Sequence, residues 1–411
     1  MSMSRKNWHL FEGVGLELEY MIVNAETLDV LPMVEKILRD HNKGQLIDEL
    51  DVGSIRWSNE LVCHVLELKG AGPFTDLAHA AQAFEDSVGH LISYLAGQGA
   101  TLLPTGMHPL MNPLKETVLW SHGQREIYDQ FNKVFGCQGH GWSNLQSMHI
   151  NLPFGNEEEF GRLHAAIRII LPLVPALCAS SPIYDGCLHD HPSNRLIFYE
   201  SNQARIPSIT GRVIPEPVFN FHDYELLLQA MYKDIAPFDH DKVLQGPWLN
   251  SRGAILKSDY GCIEIRLADV QENPQMDVAL ASFIVAMLRE LVAEKFCSYP
   301  EQKLATTELL RTVYDKANRF NVEQIPSAYA KLWGFGDGGS MVDSFAEFLY
   351  GLFERVKSDL PTFAVSPLEH WFEHGSLAMR LRVAYQRDKD LKALYRELVG
   401  CLKENRMFTP N

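Results

Sequence analysis

Apolar and polar residues alternate over residues 13–23, where every second side chain from Val14 to Tyr20 is apolar. A period of two residues is typical of a β-strand that buries one face. Further strands are predicted over residues 58–69, 145–153 and 261–270. The polar positions of these strands are the candidates for chemistry, because they face away from an apolar core.

Apolar residues recur at helical spacing over residues 77–95. Further long helices are predicted over residues 275–296, 306–320, 342–357 and 376–403. Regular βαβ alternation is absent, which favours an α+β fold with helices packed on one face of an antiparallel sheet. Because polar strand residues recur up to Asp269, we expect one catalytic domain over residues 1–411, with a helical C-terminal part from about residue 300.

Composition and charge narrow the function classes. The net charge of −15 over 411 residues argues against a nucleic-acid-binding surface, which needs clustered Lys and Arg, but it leaves room for a nucleotide. Residues 1–11 lack the apolar core of a secretory signal, and the longest apolar run, 169–179, is too short to span a membrane. Seven scattered cysteines without a Cys-x-x-Cys pair predict free thiols, so we expect a cytoplasmic protein.

Glu17 and Glu19 are the first candidate site residues. Side chains alternate along a strand, so both carboxylates project from one face, about 7 Å apart. Two carboxylates this close repel each other unless a cation lies between them, and Mg²⁺ prefers oxygen ligands. The alternative interpretation is a half-buried strand with one solvent-facing side.

Glu60 and Glu67 lie in the second predicted strand. Glu67 follows apolar neighbours, where an unpaired carboxylate would be costly. Because the two residues are seven apart, a regular strand would place them on opposite faces. They reach one site only if the strand bends, bulges or begins after Glu60.

His149 shares one strand face with Ser147 and Asn151, opposite apolar neighbours. A lone His in this setting is more often a hydrogen-bonded core residue than a ligand. Glu264 and Arg266 share a face in the same way. They form either a structural charge pair or a metal ligand beside a phosphate-binding arginine.

Arg195 follows a turn-like segment and could grip phosphate oxygens through its planar guanidinium, or it could be an ordinary surface residue. Asp190 stands between two histidines, but Pro192 and the loop setting favour a solvated turn over a metal site. The familiar phosphate-binding loop Gly-x-x-x-x-Gly-Lys-Ser/Thr is absent. Residues 334–339 have the spacing of a dinucleotide fingerprint without the preceding strand, so we interpret them as a loop.

In their order along the chain, these segments resemble the glutamate–cysteine ligase family, specifically its bacterial carboxylate–amine ligase branch. The matching segments are residues 15–19, 60–67, 105–109, 146–149, 171–182, 193–195, 264–269, 318–320 and 375–376. The resemblance implies a glutamine-synthetase-like fold, in which a curved, mostly antiparallel sheet forms a funnel with helices outside. It also implies ATP and two or three Mg²⁺ ions, with Mn²⁺ as an alternative.

The resemblance assigns roles position by position. One Mg²⁺ would be held by Glu17, Glu60 and Glu67. A second would be held by Glu19, His149 and Glu264. Arg195 and Arg266 would contact the phosphates or an acyl phosphate, and we expect Asn151 to join them in binding the cofactor.

The reaction implied by the resemblance joins a carboxylate to an amine through an acyl phosphate, with glutamate as donor and cysteine or a related amine as acceptor, as in glutathione biosynthesis. Two residues depart from the family: Glu60 replaces its usual Asp, a change that a metal site would tolerate, and Cys63 stands where relatives carry an acidic residue, which leaves the acceptor open. Rival interpretations are a phosphotransferase on the same fold, a metal-dependent amidohydrolase, and a binding protein without turnover. The expected partners are small-molecule amino acids and ATP, without nucleic acid or membrane; a homodimer is compatible with the sequence.

Overall fold

A computed structural model describes residues 8–320, 324–335 and 344–410. The strands are β1 (Gly15–Asn24), β2 (Glu49–Val52), β3 (Ile55–Asn59), β4 (Val65–Gly70), β5 (Ala100–Leu103), β6 (Ser147–Pro153), β7 (Ile183–Tyr184), β8 (Cys187–Leu188), β9 (Ala254–Lys257) and β10 (Cys262–Asp269). Short 3-10 helices cover Leu171–Leu173, Ala236–Phe238, Pro247–Leu249 and Lys357–Asp359.

The α-helices surround these strands along the whole described chain. They are α1 (Val34–His41), α2 (Leu77–Ala96), α3 (Pro113–Glu116), α4 (Arg125–Phe135), α5 (His140–Ser143), α6 (Glu157–Ile170), α7 (Val174–Cys178), α8 (Asn194–Ser201), α9 (Phe221–Ile235), α10 (Pro274–Val292), α11 (Tyr299–Leu304), α12 (Thr307–Ala317), α13 (Ser327–Lys331), α14 (Phe345–Val356), α15 (Thr362–His374), α16 (Leu377–Asp388) and α17 (Leu391–Glu404).

One antiparallel sheet organises the molecule. Its strands follow the order β2-β3-β4-β1-β6-β10-β9, and β5 pairs with the C-terminal half of β1. β7 and β8 form a separate hairpin. The central strand β1 therefore pairs with β4 on one side and β6 on the other, which brings segments far apart in sequence side by side.

One face of the sheet is apolar and carries the main core. Leu16 and Leu18 of β1 are fully buried there with Ile150 of β6 and Ile265 of β10. Helices α2, α6 and α10 pack over this face. Fully burying a Leu or Ile side chain stabilises the fold by about 1.5–3 kcal/mol, so this layer holds the strands in register.

Helix α10 lies at the centre of the helical layer. It begins with a capped N-terminus, where the Asn273 side chain accepts a hydrogen bond from Met276 N and Pro274 occupies the first turn. Nearly every residue of the helix is buried, because it packs against α2, α6, α14 and α15. Within the described residues, the helical stretch Glu157–Cys178 is long and apolar enough to cross a membrane, but 89% of its apolar window is buried inside the protein.

Two smaller apolar cores lie apart from the main one. A second core joins Met21 and Val65 to Leu381 and Leu398 of the C-terminal helices α16 and α17. A third, small core gathers apolar residues of α4, α9 and the segments around them. Polar strand residues, among them Glu17 and Glu19, line a cavity on the sheet face opposite Leu16 and Leu18.

Two predicted elements are each divided in the structure. The strand predicted over 58–69 is the end of β3, a connection and β4; backbone hydrogen bonds from the connection to Val118 and Trp120 hold it outside the sheet. The helix predicted over 376–403 is α16 and α17, separated where Lys389 adopts a left-handed conformation (φ 55°). The Asp390 side chain then caps α17.

Of the glycine-rich segment 334–339, residues 336–339 lie outside the described residues.

A buried ion pair ties α16 to the sheet. Arg380 Nη1 lies 2.5 Å from Glu272 Oε1 just after β10, and both side chains are fully buried. We predict that Arg380→Ala lowers the free energy of unfolding by about 3–5 kcal/mol, because it leaves the Glu272 carboxylate buried and unpaired. Arg387→Ala on the same helix, where the ion pair is exposed, should leave the urea midpoint unchanged. Equal midpoints for both variants would contradict this role.

Candidate active site

The strand register brings the predicted acidic residues onto one face. Glu17 of β1 lies opposite His149 of β6 and Lys69 of β4. Glu19 lies opposite Glu67 of β4. The shared face predicted for Glu17 and Glu19 is confirmed, because both line the same cavity.

The tightest group of candidate metal ligands comes from three adjacent strands. One ligand atom each from Glu17, His149 and Glu264 lies within 4.8 Å of the other two. His149 Nδ1 is 2.9 Å from Glu17 Oε2, and Asn151 Nδ2 donates to Glu17 Oε1 at 3.0 Å. Two carboxylates and an imidazole fit Mg²⁺ or Mn²⁺ by their chemistry. Asn151 thus orients Glu17 from β6.

Glu19 is held by the backbone of the neighbouring strand. Its Oε2 accepts hydrogen bonds from Ser147 N at 2.7 Å and Ser147 Oγ at 2.8 Å. Its Oε1 lies 3.9 Å from His149 Nε2. The imidazole therefore lies close to both Glu17 and Glu19, and the grouping of His149 with Glu19 and Glu264 around one ion stays a prediction.

Glu60 and Glu67 line the same cavity, as the resemblance required. They converge because the chain leaves the sheet after β3 and returns as β4. The alternation of side chains along a single regular strand therefore does not apply to this pair. Glu67 accepts a short hydrogen bond from Ser58 Oγ and lies 3.1 Å from Lys69 Nζ.

Nearby cationic side chains do not fully compensate the negative charge of the acidic residues on this face. Burial and the nearby Glu67 and Glu19 raise the pKa of Glu60 well above its ordinary value. Burial and Glu17 raise the pKa of Glu67 to about 7. Burial also acts to raise the pKa of Glu17, but the charge of Lys257 and the hydrogen bond from His149 outweigh it and hold that pKa well below its ordinary value. The face therefore favours additional positive charge.

The cavity that contains these groups has a volume of about 680 Å³. Among the described residues that line it are seven carboxylates and four Lys or Arg side chains. The predicted site residues among them are Glu17, Glu19, Glu60, Glu67, His149, Arg195, Glu264 and Arg266. All the predicted site residues except Asn151 thus meet in one cavity.

Arg195 is not a surface residue. Its side chain is 2% exposed, and its Nε donates to Asp269 Oδ1 at 2.6 Å. Asp269 also accepts from Ser180 N and Ser181 Oγ. This network fixes the direction of the guanidinium, which lines the cavity.

Close approach of the chain to Asp269 explains a glycine in the matched segment 105–109. A Cβ atom on Gly106 would lie 2.5 Å from Asp269 Cγ, which is far inside van der Waals contact. Only a residue without a side chain fits there. Gly106 therefore supports the position of Asp269 and, through it, of Arg195.

Arg266 lies at an irregularity in β10. The register with β6 shifts between Ile265 and Ala268, so two residues of β10 oppose His149. Bulges of this kind re-aim side chains near active sites. Arg266 Nε lies 3.1 Å from Glu264 Oε1, and the guanidinium lines the cavity beside the ligand group.

Lys257 was missed by the sequence analysis. It lies on the edge strand β9, its Nζ makes a short ion pair with Glu264, and it is 3.6 Å from Glu17 Oε1. Lys residues are common on edge strands, where they usually prevent pairing with the strand of another chain. The position of Lys257 in the sequence therefore does not indicate a function. The geometry instead places its ammonium among the candidate metal ligands.

Comparison with known proteins supports the resemblance. The model of glutamate–cysteine ligase family 2 matches residues 13–323. An uncharacterized protein of Archaeoglobus fulgidus is 36% identical over 281 residues, covering 68% of this chain and 75% of that protein. A putative glutamate–cysteine ligase 2 of Leptothrix cholodnii is 26% identical over 294 residues, covering 69% of this chain and 68% of that protein.

A solved structure has the same architecture. The glutamate–cysteine ligase of Francisella tularensis, crystallised in complex with AMP, matches with a TM-score of 0.60 and 12% identity, covering 98% of this chain and 91% of that chain. This likeness concerns the fold alone. It confirms the predicted α+β class with a mainly antiparallel, glutamine-synthetase-like sheet.

The position of Lys257 gives a prediction about metal binding. A divalent cation held by Glu17, His149 and Glu264 is repelled by the Lys257 ammonium, so Lys257→Met should strengthen Mn²⁺ binding to the nucleotide-free protein about tenfold. Isothermal titration calorimetry measures this change. Lys295→Met, at a side chain that is 60% exposed, is the matched control and should bind like the unmodified protein. Equal or weaker binding by Lys257→Met would refute the competition.

Proposed function

Because the chain belongs to glutamate–cysteine ligase family 2, a family of ATP-dependent carbon–nitrogen ligases, we propose that it joins glutamate or a related amino acid to an amine. The coarse activity, ATP-dependent carboxylate–amine ligation, follows from the family. The identity of the two substrates and the acyl-phosphate route are our proposal. We also propose that residues 1–411 form a single catalytic domain and that the protein is cytoplasmic. Its proposed partners are small molecules, with no nucleic acid or membrane.

One observation carries the proposal: side chains from β1, β6 and β10 bring Glu17, His149 and Glu264 within 4.8 Å of one another inside a cavity of about 680 Å³. A volume of this size accommodates small ligands. A purely apolar binding site would not need more carboxylates than Lys and Arg side chains. Such an excess of carboxylates is expected where a site holds divalent cations together with a triphosphate.

Glu17, Glu19, Glu60, Glu67, His149 and Glu264 would hold two or three Mg²⁺ ions, with Mn²⁺ as an alternative. Bound there, these ions would neutralise charge on the phosphates of ATP. Arg266 lies beside Glu264 and can donate hydrogen bonds to phosphate oxygens. Arg195, held by Asp269, supplies a second guanidinium from the cavity wall.

The proposed reaction has two steps. A carboxylate oxygen of the donor attacks the γ-phosphorus of ATP, and ADP leaves as the acyl phosphate forms. The amine nitrogen then attacks the acyl carbon, phosphate leaves with the electrons of the broken bond, and the amine loses a proton. Activation is needed because a free carboxylate repels nucleophiles and lacks a good leaving group.

A phosphotransferase and a metal-dependent amidohydrolase could use the same carboxylates. We predict that ADP and phosphate form only when ATP, Mg²⁺, a carboxylate and an amine are all present, in a screen of amino-acid pairs read by mass spectrometry. Glutamate with cysteine or a related amine should give an amide product. A phosphorylated product without an amine requirement would indicate a phosphotransferase. Amide cleavage without nucleotide would indicate a hydrolase.

The ligand set gives a second prediction. Glu19→Gln and Glu264→Gln should each lower kcat/KM by more than about 100-fold, because an amide is a much weaker ligand for a divalent cation than a carboxylate. Circular dichroism should show an intact fold, since neither residue contributes to the apolar core. Glu397→Gln, on the exposed side of α17, is the matched control and should retain activity. Unchanged activity in either site variant would remove that residue from the site.

A further inference from the structure

The two walls of the cavity differ in chemistry. The sheet face carries the carboxylates, whereas the wall around helix α4 is apolar and aromatic. The residues of this apolar wall are Leu61, Val62, Val65, Ile127, Phe131 and Trp142. Ligation of two small polar amino acids does not by itself call for such a surface.

The apolar wall is built rigidly. Phe131 lies one helical turn after Ile127 on α4, so both project from one side of the helix. The rings of Phe131 and Trp142 are 5.5 Å apart, and Phe135 stacks on Trp142 at 5.9 Å. Gly141, next to Trp142, packs directly against Asn202, where a Cβ atom would overlap the amide side chain. The wall is thus preformed, which favours binding of a complementary group.

Three side chains on this wall are left partly exposed. Ile127, Phe131 and Trp142 are intermediate in burial, although Val134 on the same helix is buried. Apolar surface facing a cavity gains about 25 cal/mol for each Å² that a ligand covers. An apolar group of a ligand that covers these side chains would therefore contribute favourable binding free energy.

The β4 side of the apolar wall and the residues beside β9 lie at opposite ends of the sheet face. Lys257, Trp248 and Tyr260 line it near the edge strand β9, with Trp248 48% and Tyr260 72% exposed. Val65 of the apolar wall is on β4, four strands away in the sheet order, or about 19 Å. The ligand group of Glu17, His149 and Glu264 lies between them. This order suits a nucleotide base near β9, reacting groups at the centre and the second substrate near β4.

The apolar wall adjoins the carboxylates of the sheet face. Leu61 directly follows Glu60, and both line the cavity. The amino group of the acceptor must reach the acyl carbon at the polar centre of the cavity, and the rest of the amine then extends toward the apolar wall. The region therefore fits an amine whose remaining part is apolar.

We infer that the acceptor is an amine carrying an aliphatic or aromatic group, which packs against Phe131 and Trp142 with its amino group toward the centre of the cavity, where the acyl phosphate would form. This inference rests on the proposed ligase function. It narrows the acceptor from cysteine or a related amine to an amine with an apolar group. Covering two methylene groups is worth about 1.6 kcal/mol, or more than tenfold in kcat/KM.

The test compares apolar with polar primary amines at fixed glutamate, ATP and Mg²⁺. Isoamylamine and 2-phenylethylamine should give at least tenfold higher kcat/KM for amine-dependent ADP formation than ethanolamine and ethylenediamine. Equal values, or a preference for the polar amines, would overturn the inference and leave the ligase function standing. No ADP formation with any amine would count against the ligase function itself and the inference with it.

Variants of Phe131 and Trp248 separate the amine from the nucleotide. Phe131→Ala should lower kcat/KM for 2-phenylethylamine about tenfold while leaving the KM for ATP unchanged, and Phe131→Leu, which keeps an apolar side chain, should lie between. Trp248→Ala should instead raise the KM for ATP and keep the preference among amines. A raised KM for ATP in Phe131→Ala, without a change in amine preference, would show that the nucleotide occupies the wall and would overturn the inference.

Discussion

Repulsion among carboxylates that the sheet holds on one face is the constraint on which the site depends. Antiparallel pairing fixes Glu17 opposite His149 and Glu19 opposite Glu67, so these side chains cannot separate without breaking the sheet. Two charges 4 Å apart interact by about 4 kcal/mol at the effective dielectric of a protein surface. Such an arrangement persists because the apolar layer beneath it stabilises the register and because cations, here Lys257 and Lys69, lie among the acids.

The helical layers therefore serve the sheet in two ways. Helices α2, α6 and α10 bury its apolar face and keep the strands aligned, while α16 and α17 cover the far end of the other face. The Arg380–Glu272 pair joins the C-terminal helices to the chain just after β10. Metal-ligating side chains must be held to within a fraction of an ångström, and this two-sided support provides that rigidity.

Much of this arrangement was predictable from local pattern. β1, β6, β10, α2 and α10 lie within a few residues of their predicted ranges, because their alternation or helical spacing is strong and uninterrupted. The common face of Glu17 and Glu19 follows from alternation alone. The break after β3 did not show in the pattern, since it depends on hydrogen bonds to residues 118–120, more than fifty positions away.

The roles of single charged residues were harder to predict. Burial of Arg195 depends on Asp269, which is 74 residues away, and the contact of Lys257 with Glu264 depends on strand order. Neither contact can be predicted from the spacing of these residues along the sequence. The family resemblance supplied the convergence of Glu60 and Glu67, which regular strand geometry opposed.

X-ray diffraction at the manganese absorption edge, from crystals grown with Mn²⁺ and a non-hydrolysable ATP analogue, tests the central claim most directly. The account predicts an anomalous peak within coordination distance of Glu17, His149 and Glu264, with the phosphates beside it. Bound nucleotide without a manganese peak among these side chains would contradict it.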